Sequence, residues 1–293
     1  MAKIIKILLL SLITIAIVYP ASSLFFAYLL TSSANKKINL PVGLPLQIED
    51  VSFVTSDNIK LRGWYLPAGD EQKAIILLHG HRDSRLQLVS RAKLFHQSGY
   101  SVLLYDARGC GESDPAKISV GYFETADLIA AIQFVRQKGV KDIAIAGISQ
   151  GAATILLAAE QLQDIRCIVA ESSYSNILNA LDNRFRLYFG IPTTIGGALF
   201  VPFAEYFLGV SAAEIDLLQH IAALQCPVFI VSGTADRKTL PQETEKLFNA
   251  AREPKQLWMV EGARHEDLYK FQPGEYQRRV LGFLKKYMMS PVE

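Results

Sequence analysis

A serine between two glycines, in the pentapeptide Gly147-Ile148-Ser149-Gln150-Gly151, constrains the fold of this chain more than any other feature. The apolar run 143–146 precedes it, and the helix-forming run 152–159 follows it. This order predicts a buried strand, a sharp turn and a helix, with small residues that let the helix pack close to the strand. Such a turn holds a hydroxyl at the carboxyl edge of a sheet. The alternative is a plain turn in which Ser149 caps the helix, and the pentapeptide alone does not separate the two.

Size and composition exclude several classes of protein. The 293 residues suffice for one α/β domain or at most two, half of them are hydrophobic, and the net charge is +2. Basic residues are scattered and form no nucleic-acid-binding motif, so we expect no nucleic-acid partner. The three cysteines (Cys110, Cys167 and Cys226) are odd in number and form no CxxC. They indicate neither a metal site nor a disulfide framework.

The amino-terminal segment differs from the rest of the chain. Residues 7–35 contain no Asp, Glu, Lys or Arg, and as a helix they would extend ~43 Å, against about 30 Å for a hydrocarbon core. A cleaved signal needs an apolar stretch of only ~7–15 residues, and cleavage within the small residues 19–23 would expose the apolar run 24–30. We therefore expect a membrane anchor over residues 1–35, with a kink at Pro20. A cleaved signal followed by secretion and a buried soluble helix are the alternatives.

The orientation of this anchor follows from its flanking charges. The amino side carries the terminal amine, Lys3 and Lys6, whereas Lys36 and Lys37 lie on the far side. The positive-inside rule then slightly favours a cytoplasmic amino terminus and a large domain outside the cytoplasm. A polar, Pro- and Gly-containing linker over residues 36–45 follows the anchor.

Residues 46–293 alternate between short apolar segments and amphipathic ones, which predicts a mainly parallel eight-stranded sheet with helices on both faces. The predicted strands are 46–55, 59–66, 74–78, 101–105, 142–146, 167–170, 228–231 and 256–260, of which the first two form an antiparallel pair. The predicted helices are 84–98, 122–138, the run after Ser149, 242–251 and 276–287.

A long irregular stretch, residues 172–224, separates the sixth and seventh predicted strands and is too long for one simple crossover helix. It contains eight aromatic residues, including Phe185, Tyr188 and Phe203. One interpretation is a helical cap that gives a site an apolar pocket wall. The other is an ordinary helix pair whose aromatic side chains face the core.

A serine hydroxyl becomes a good nucleophile only when a base removes its proton. Of the five histidines, His265 is the best candidate base, because it follows the last predicted strand at the carboxyl edge, where parallel sheets place their sites. A carboxylate must orient the imidazole. Asp236 follows strand 228–231 and is the favoured acid, although it would also suit a capping role. Glu171, at the end of strand 167–170, is the competing acid.

The loop after strand 74–78 supplies further candidates. A developing oxyanion needs two donors, for which we expect the backbone N–H groups of Gln150 and His81, with Gly80 allowing close approach. The alternative for this loop is a tight turn before a helix. Arg82 and Arg85 either face the mouth of the site and attract an anionic group or are merely solvated.

Assembled, these residues resemble the α/β-hydrolase superfamily over nearly all of residues 46–289. The resemblance rests on the order serine, acid, histidine, on His79-Gly80 after the third strand, and on the D-x-R-G-x-G-x-S turn of residues 106–113. It is strongest to membrane-anchored or secreted members related to serine aminopeptidases and prolyl oligopeptidases. Arg264, where glycine is commoner, is a mild departure.

The resemblance implies Ser149 as nucleophile, His265 as base and Asp236 as acid, with backbone amides of His81 and Gln150 as oxyanion hole and without a metal or organic cofactor. We expect hydrolysis of small-molecule esters or related acyl compounds through an acyl-enzyme. A peptidase or amidase acting on short peptides is the enzymatic alternative. A non-catalytic domain that binds a ligand is the other.

Overall fold

The computed structural model describes residues 1–41, 47–69 and 72–288 of the chain. It confirms the predicted mainly parallel eight-stranded sheet, in the order β8-β7-β6-β5-β3-β4-β2-β1. The strands are β1 (Glu49–Val54), β2 (Lys60–Leu66), β3 (Lys73–Leu78), β4 (Ser101–Asp106), β5 (Asp142–Ile148), β6 (Cys167–Glu171), β7 (Val228–Gly233) and β8 (Lys255–Val260). Strand β2 runs antiparallel to both β1 and β4, and every other neighbouring pair is parallel.

Helices cover both faces of the sheet, as predicted, because the central strands are apolar on both sides. In β3 the side chains Ile75, Ile76 and Leu77 alternate between the two faces and are all fully buried, the pattern of a strand that is covered on both sides. The helices longer than one turn that follow the first strand are Val89–Gln97, Glu124–Gln137, Gln150–Leu157, Ile177–Phe189, Phe200–Leu208, Pro241–Ala250 and Gly282–Met288.

The chain between β6 and β7 is helical and forms the predicted insertion, called the cap below (residues 172–224). Its helices are Ile177–Phe189, Thr193–Gly196, Phe200–Leu208 and Leu217–His220. Left-handed Gly190 and Gly209 end the two longest of them. Because β6 and β7 are parallel neighbours, the cap leaves the sheet from the carboxyl edge, where the predicted site residues also lie.

The amino-terminal helix Ala2–Thr31 is long and apolar enough to cross a membrane or to be a signal sequence. The helix widens to a π-helical turn at Thr14–Val18, which ends two residues before Pro20. Residues 1–18 are exposed on all sides. Beyond them the helix packs against the cap helix Phe200–Leu208, so that its two halves have different surroundings.

The contact between the amino-terminal helix and the cap uses small and aromatic side chains. Ser23 and Ala27 are buried beneath the cap, the rings of Tyr28 and Phe207 meet edge to face at 5.6 Å, and the Tyr19 hydroxyl donates to the carbonyl of Ile195 at 2.8 Å. The helix is therefore joined to the insertion that borders the site.

The segment after the helix follows the surface of the domain. Ala34–Asn35 pairs in parallel with Cys110–Gly111, and the Ile38 N–H donates to Glu112. The end of the predicted linker (residues 42–45), the first residue of the predicted hydrolase domain (Leu46) and residues 289–293 lie outside the described residues. The domain boundaries remain predictions.

Candidate active site

Ser149 occupies a strained turn between β5 and the helix Gln150–Leu157. Its backbone has φ 53° and ψ −111°, a left-handed conformation that a residue with a side chain rarely adopts. A Cβ on Gly147 would lie 2.5 Å from the carbonyl carbon of Gly151, and one on Gly151 would lie 2.4 Å from the oxygen of Leu78. Both glycines are therefore needed for the helix to lie against the strands.

His265 and Asp236 are in direct contact. Nδ1 of His265 lies 2.7 Å from Oδ2 of Asp236, whereas the other carboxylate oxygen accepts from the backbone N–H groups of Lys238 and Thr239 at 2.8 and 2.9 Å. Asp236 is buried. These bonds fix the carboxylate, and the carboxylate fixes the imidazole with Nε2 as its remaining nitrogen.

Glu171, the competing acid, lies in a different network. Its carboxylate accepts two hydrogen bonds from the Arg91 guanidinium, at 2.7 and 3.1 Å, and one from the Tyr276 hydroxyl at 2.5 Å. Arg91 also pairs with Asp267 at 2.7 Å. The buried carboxylate raises the pKa of Arg91, and burial raises that of Tyr276. The structure therefore places Glu171 in a buried ion cluster, not against the ring of His265.

The loop after β3 is ordered by two histidines that burial keeps neutral. His79 donates from Nδ1 to the carbonyl of Gly80 at 2.7 Å, because its Nε2 accepts from the Ala107 N–H at 3.0 Å. Burial lowers the pKa of His79, and it lowers that of His81 to about 4. The His81 ring donates from Nδ1 to the side-chain oxygen of Gln150 at 2.7 Å. This bond joins the two residues that were predicted to form the oxyanion hole.

The main-chain amides of those two residues are free to bind another group. Within residues 1–41, 47–69 and 72–288, no acceptor takes a hydrogen bond from the N–H of His81 or Gln150. Unpaired backbone donors beside a helix amino terminus favour an anionic oxygen. The arrangement fits the predicted oxyanion site.

Ser149, His81 and His265 line one cleft of about 320 Å³, together with Gly80, Gln87, Ile148, Ser172, Arg184, Lys238, Glu266 and Asp267. The only cap residues in this set are Ser172 and Arg184. Both are polar, so the lining of this cleft does not fit the interpretation of the cap as an apolar pocket wall. Tyr188, Phe189 and Tyr206 instead point outward and are exposed.

The arginines after β3 do not form an anion site at the mouth. Arg85 is buried against Trp64 and pairs with Asp106 and Glu112. Arg82 donates at 2.6 Å to the carbonyls of Leu29 and Ser32, at the end of the amino-terminal helix. Both guanidinium groups are thus used within the fold.

Three side chains at the site were missed by sequence reasoning. The Thr239 hydroxyl lies 3.0 Å from Nδ1 of His265 and 3.2 Å from the carbonyl of Ser172. Arg91 neutralises Glu171, and Arg184 lines the cleft. The position of Thr239, three residues beyond Asp236, was the one available sequence signal, because short turns bring such residues back to the same group.

The described part of the chain contains no group of three or more His, Cys, Asp or Glu side chains that could hold a metal ion. Its three cysteines are buried and unpaired.

Comparison with known proteins supports the architecture. A family model for the α/β-hydrolase fold matches residues 73–192. The uncharacterized protein YqkD of Bacillus subtilis is 28% identical over 250 residues, which are 81% of this chain and 80% of YqkD. Polyketide transferase af380 of Aspergillus fumigatus is 26% identical over 296 residues, covering 82% of this chain and 98% of the transferase.

Among solved structures, the esterase Pf2001 of Pyrococcus furiosus superimposes with a TM-score of 0.70 at 26% identity, covering 87% of this chain and 99% of the esterase. GrgF, an α/β hydrolase from Penicillium, superimposes with a TM-score of 0.67 at 24% identity, and the match covers 84% of this chain and the whole GrgF chain. The likeness to the esterase supports a hydrolase. The chain has the α/β-hydrolase fold, and its resemblance to the α/β-hydrolase superfamily is supported.

Proposed function

We propose that the protein is a serine hydrolase that cleaves carboxylic esters or related acyl compounds. The observation that carries the proposal is the cleft shared by Ser149 and His265, in which Asp236 holds the imidazole at 2.7 Å. A strained serine, an oriented base and two free backbone donors are the groups that acyl transfer requires.

The proposed mechanism has two half-reactions. Ser149 Oγ attacks the acyl carbon while Nε2 of His265 takes its proton, and Asp236 stabilises the imidazolium. The oxyanion accepts from the N–H groups of His81 and Gln150. His265 then protonates the leaving group, and a water molecule activated by the same nitrogen hydrolyses the acyl-enzyme and regenerates Ser149.

A fluorophosphonate probe tests the nucleophile. We expect the probe to label the intact protein and not Ser149→Ala. Ser172→Ala is the matched control, because Ser172 lines the same cleft, also has a positive φ, and is expected to keep its labelling. An unlabelled intact protein would favour the non-catalytic binding domain.

The acid is tested by two isosteric substitutions. Asp236→Asn should lower turnover of a short p-nitrophenyl ester by about 10⁴-fold, as loss of an orienting carboxylate does elsewhere. Glu171→Gln should lower the free energy of unfolding and have only a small effect on turnover, because it leaves Arg91 with one buried carboxylate partner fewer. Abolished turnover in folded Glu171→Gln, with activity kept in Asp236→Asn, would reverse the assignment.

Peptidase or amidase activity is the other enzymatic candidate for the same groups. Matched aminoacyl esters and amides, compared by kcat/KM, separate the two. We expect the esters to be preferred, and a preference for the amides would make the protein a peptidase.

We also propose that the amino-terminal helix is a retained membrane anchor, with the catalytic domain outside the cytoplasm. Residues 19–31 support retention, since they pack on the cap and cleavage near Ser23 would uncover that surface. Exposed apolar cap side chains beside the helix, Ile195 at 65% and Tyr206 at 80%, would then lie close to the bilayer.

Single-cysteine labelling tests the location. The native cysteines are buried, so Lys141→Cys, at an exposed position immediately before β5, provides one reactive thiol. We expect an impermeant maleimide to label it in intact cells, and the protein to stay with membranes after a carbonate wash. Labelling only after lysis would contradict the outward orientation. Release by carbonate would contradict the anchor.

A further inference from the structure

Arg184 is a cationic side chain in the candidate active site that has no acidic partner. It belongs to the cap helix Ile177–Phe189 and lines the cleft with Ser149 and His265. Its Nη1 donates to the carbonyl of Ala180 at 2.7 Å and to that of Lys238 at 3.3 Å.

The other large cationic groups of the domain interior behave differently. Arg85, Arg91 and Arg108 each form ion pairs with two carboxylates. Arg186, two residues beyond Arg184 on the same helix, pairs with Asp182 at 2.6 Å. Across the described ranges, no carboxylate lies within 4 Å of the Arg184 guanidinium. A half-buried charge without a partner is costly, and burial lowers the pKa of Arg184.

The acidic groups nearest Arg184 are already bound elsewhere. Asp236 accepts from His265 and from two backbone N–H groups, and Glu243 accepts from Ser175 and Asn183. Burial raises the pKa of Tyr174, which faces Arg184, so its hydroxyl supplies no negative charge to the guanidinium.

The rest of the cleft does not supply a partner either. Asp267 is paired with Arg91, and Glu266 accepts from the Arg264 N–H at 2.9 Å. Lys238, which also lines the cleft, forms no ion pair among residues 1–41, 47–69 and 72–288. The cleft therefore has two cationic groups, Arg184 and Lys238, that form no ion pair with the acids lining it.

We propose that Arg184, assisted by Lys238, binds an anionic group of the substrate, so that the preferred substrates are acyl compounds with a carboxylate or phosphate away from the bond that is cleaved. Because Nη1 is held by two carbonyls, Nε and Nη2 remain for the ligand. Together they present two parallel N–H groups, a geometry that matches two oxygens of a carboxylate or phosphate. This inference rests on the proposed esterase chemistry and names its substrate class.

Two esters of the same acyl length test the inference. The p-nitrophenyl esters of butyric acid and of succinic acid, the latter as its half-ester, differ by a terminal carboxylate. We expect the wild-type protein to favour the succinate half-ester in kcat/KM, after subtraction of the spontaneous release of p-nitrophenol that the half-ester's own carboxylate causes in buffer. Arg184→Leu should lower kcat/KM for that ester by roughly 10–100-fold, mainly through KM, since a charged hydrogen bond is lost. The same substitution should lower kcat/KM for the butyrate, which has no anionic group, by a much smaller factor.

Matched variants separate charge from folding. Arg186→Leu, on the exposed side of the same helix, should leave kcat/KM for both esters unchanged. Arg184→Lys should keep part of the preference, because it retains the positive charge without the two parallel N–H groups.

If Arg184→Leu does not fold, the preference of the wild-type protein for one ester over the other still tests the inference. Added salt should weaken turnover of the succinate half-ester and not of the butyrate. Inorganic phosphate and acetate should each inhibit turnover of the succinate half-ester, and the stronger inhibitor shows which oxyanion the site prefers.

Two results would overturn the inference. The wild-type protein could show the same kcat/KM for both esters, or Arg184→Leu could lower kcat/KM for both by the same factor. If Ser149 reacts with the fluorophosphonate and the succinate half-ester is not preferred, only the inference fails. If the probe does not react and neither ester is hydrolysed, the proposed function fails and the inference fails with it.

Discussion

Replacing Gly151 by alanine should disable the site without altering any group that carries out chemistry. The new Cβ would lie 2.4 Å from the oxygen of Leu78 and 2.8 Å from that of His79. These are backbone atoms at and just beyond the end of β3, so the helix Gln150–Leu157 and the loop after β3 must separate by about 1 Å to restore contact at 3.4 Å. That loop carries His81, one of the two proposed oxyanion donors.

Two magnitudes follow from this displacement. Misplacing an oxyanion donor should lower kcat by roughly 100- to 1,000-fold. Overpacking of this kind costs about 1–3 kcal/mol of unfolding free energy, which corresponds to a fall in Tm of roughly 2–12 °C for a domain of this size. The assays are turnover of a short p-nitrophenyl ester and thermal unfolding.

The matched control for this prediction is Gly282→Ala. Gly282 begins a helix, has no atom within 4 Å of its Cβ position, and has an ordinary helical backbone with φ −61°. This variant should keep its turnover and be at least as stable as the wild-type protein. If Gly151→Ala keeps turnover within about twofold, the close approach of the helix Gln150–Leu157 to the loop after β3 is not what positions the donor.

Three further predictions concern the groups around the site. Thr239→Val removes the hydroxyl beside Nδ1 of His265 and should lower kcat severalfold at unchanged KM, measured with the short ester. Arg91→Met leaves Glu171 buried without its cation and should cost about 3–5 kcal/mol in denaturant unfolding. The folded-state pKa of His81, about 4, lies below its unfolded value of 6.5, so its contribution to stability is present above pH 6.5 and is lost as pH falls toward 4. The free energy of unfolding should fall by about 1–3 kcal/mol over that window, and His81→Gln should reduce the fall.

Much of the fold could be predicted because its signals are local. Each central strand is a short apolar run, and a polar or small residue ends it or follows it at the carboxyl edge. Ser149, Asp236 and His265 could be proposed together because the ends of parallel strands meet at one edge. The same rule placed Glu171 at that edge, and sequence could not reveal that a salt bridge to Arg91 already holds its carboxylate.

The parts that could not be predicted depend on contacts between distant segments. Tyr276 reaches Glu171 across 105 residues, and no sequence pattern indicates such a pair. The cap shows the same difficulty, since its aromatic content suggested a pocket wall. The structure instead turns Tyr188 and Tyr206 outward and leaves Arg184 in the cleft. Which face of a cap helix meets the site depends on how the helix is docked, and amphipathicity alone does not determine that.

The most direct test of the proposed mechanism is to trap the acyl-enzyme and identify the residue that carries it. Intact-mass spectrometry after rapid quenching of a p-nitrophenyl ester reaction should show one added acyl group per chain, and peptide mapping should place it on Ser149. The added mass should be absent in Ser149→Ala and should accumulate far more slowly in His265→Ala. An acyl group on another residue, or turnover that persists in Ser149→Ala, would contradict the account.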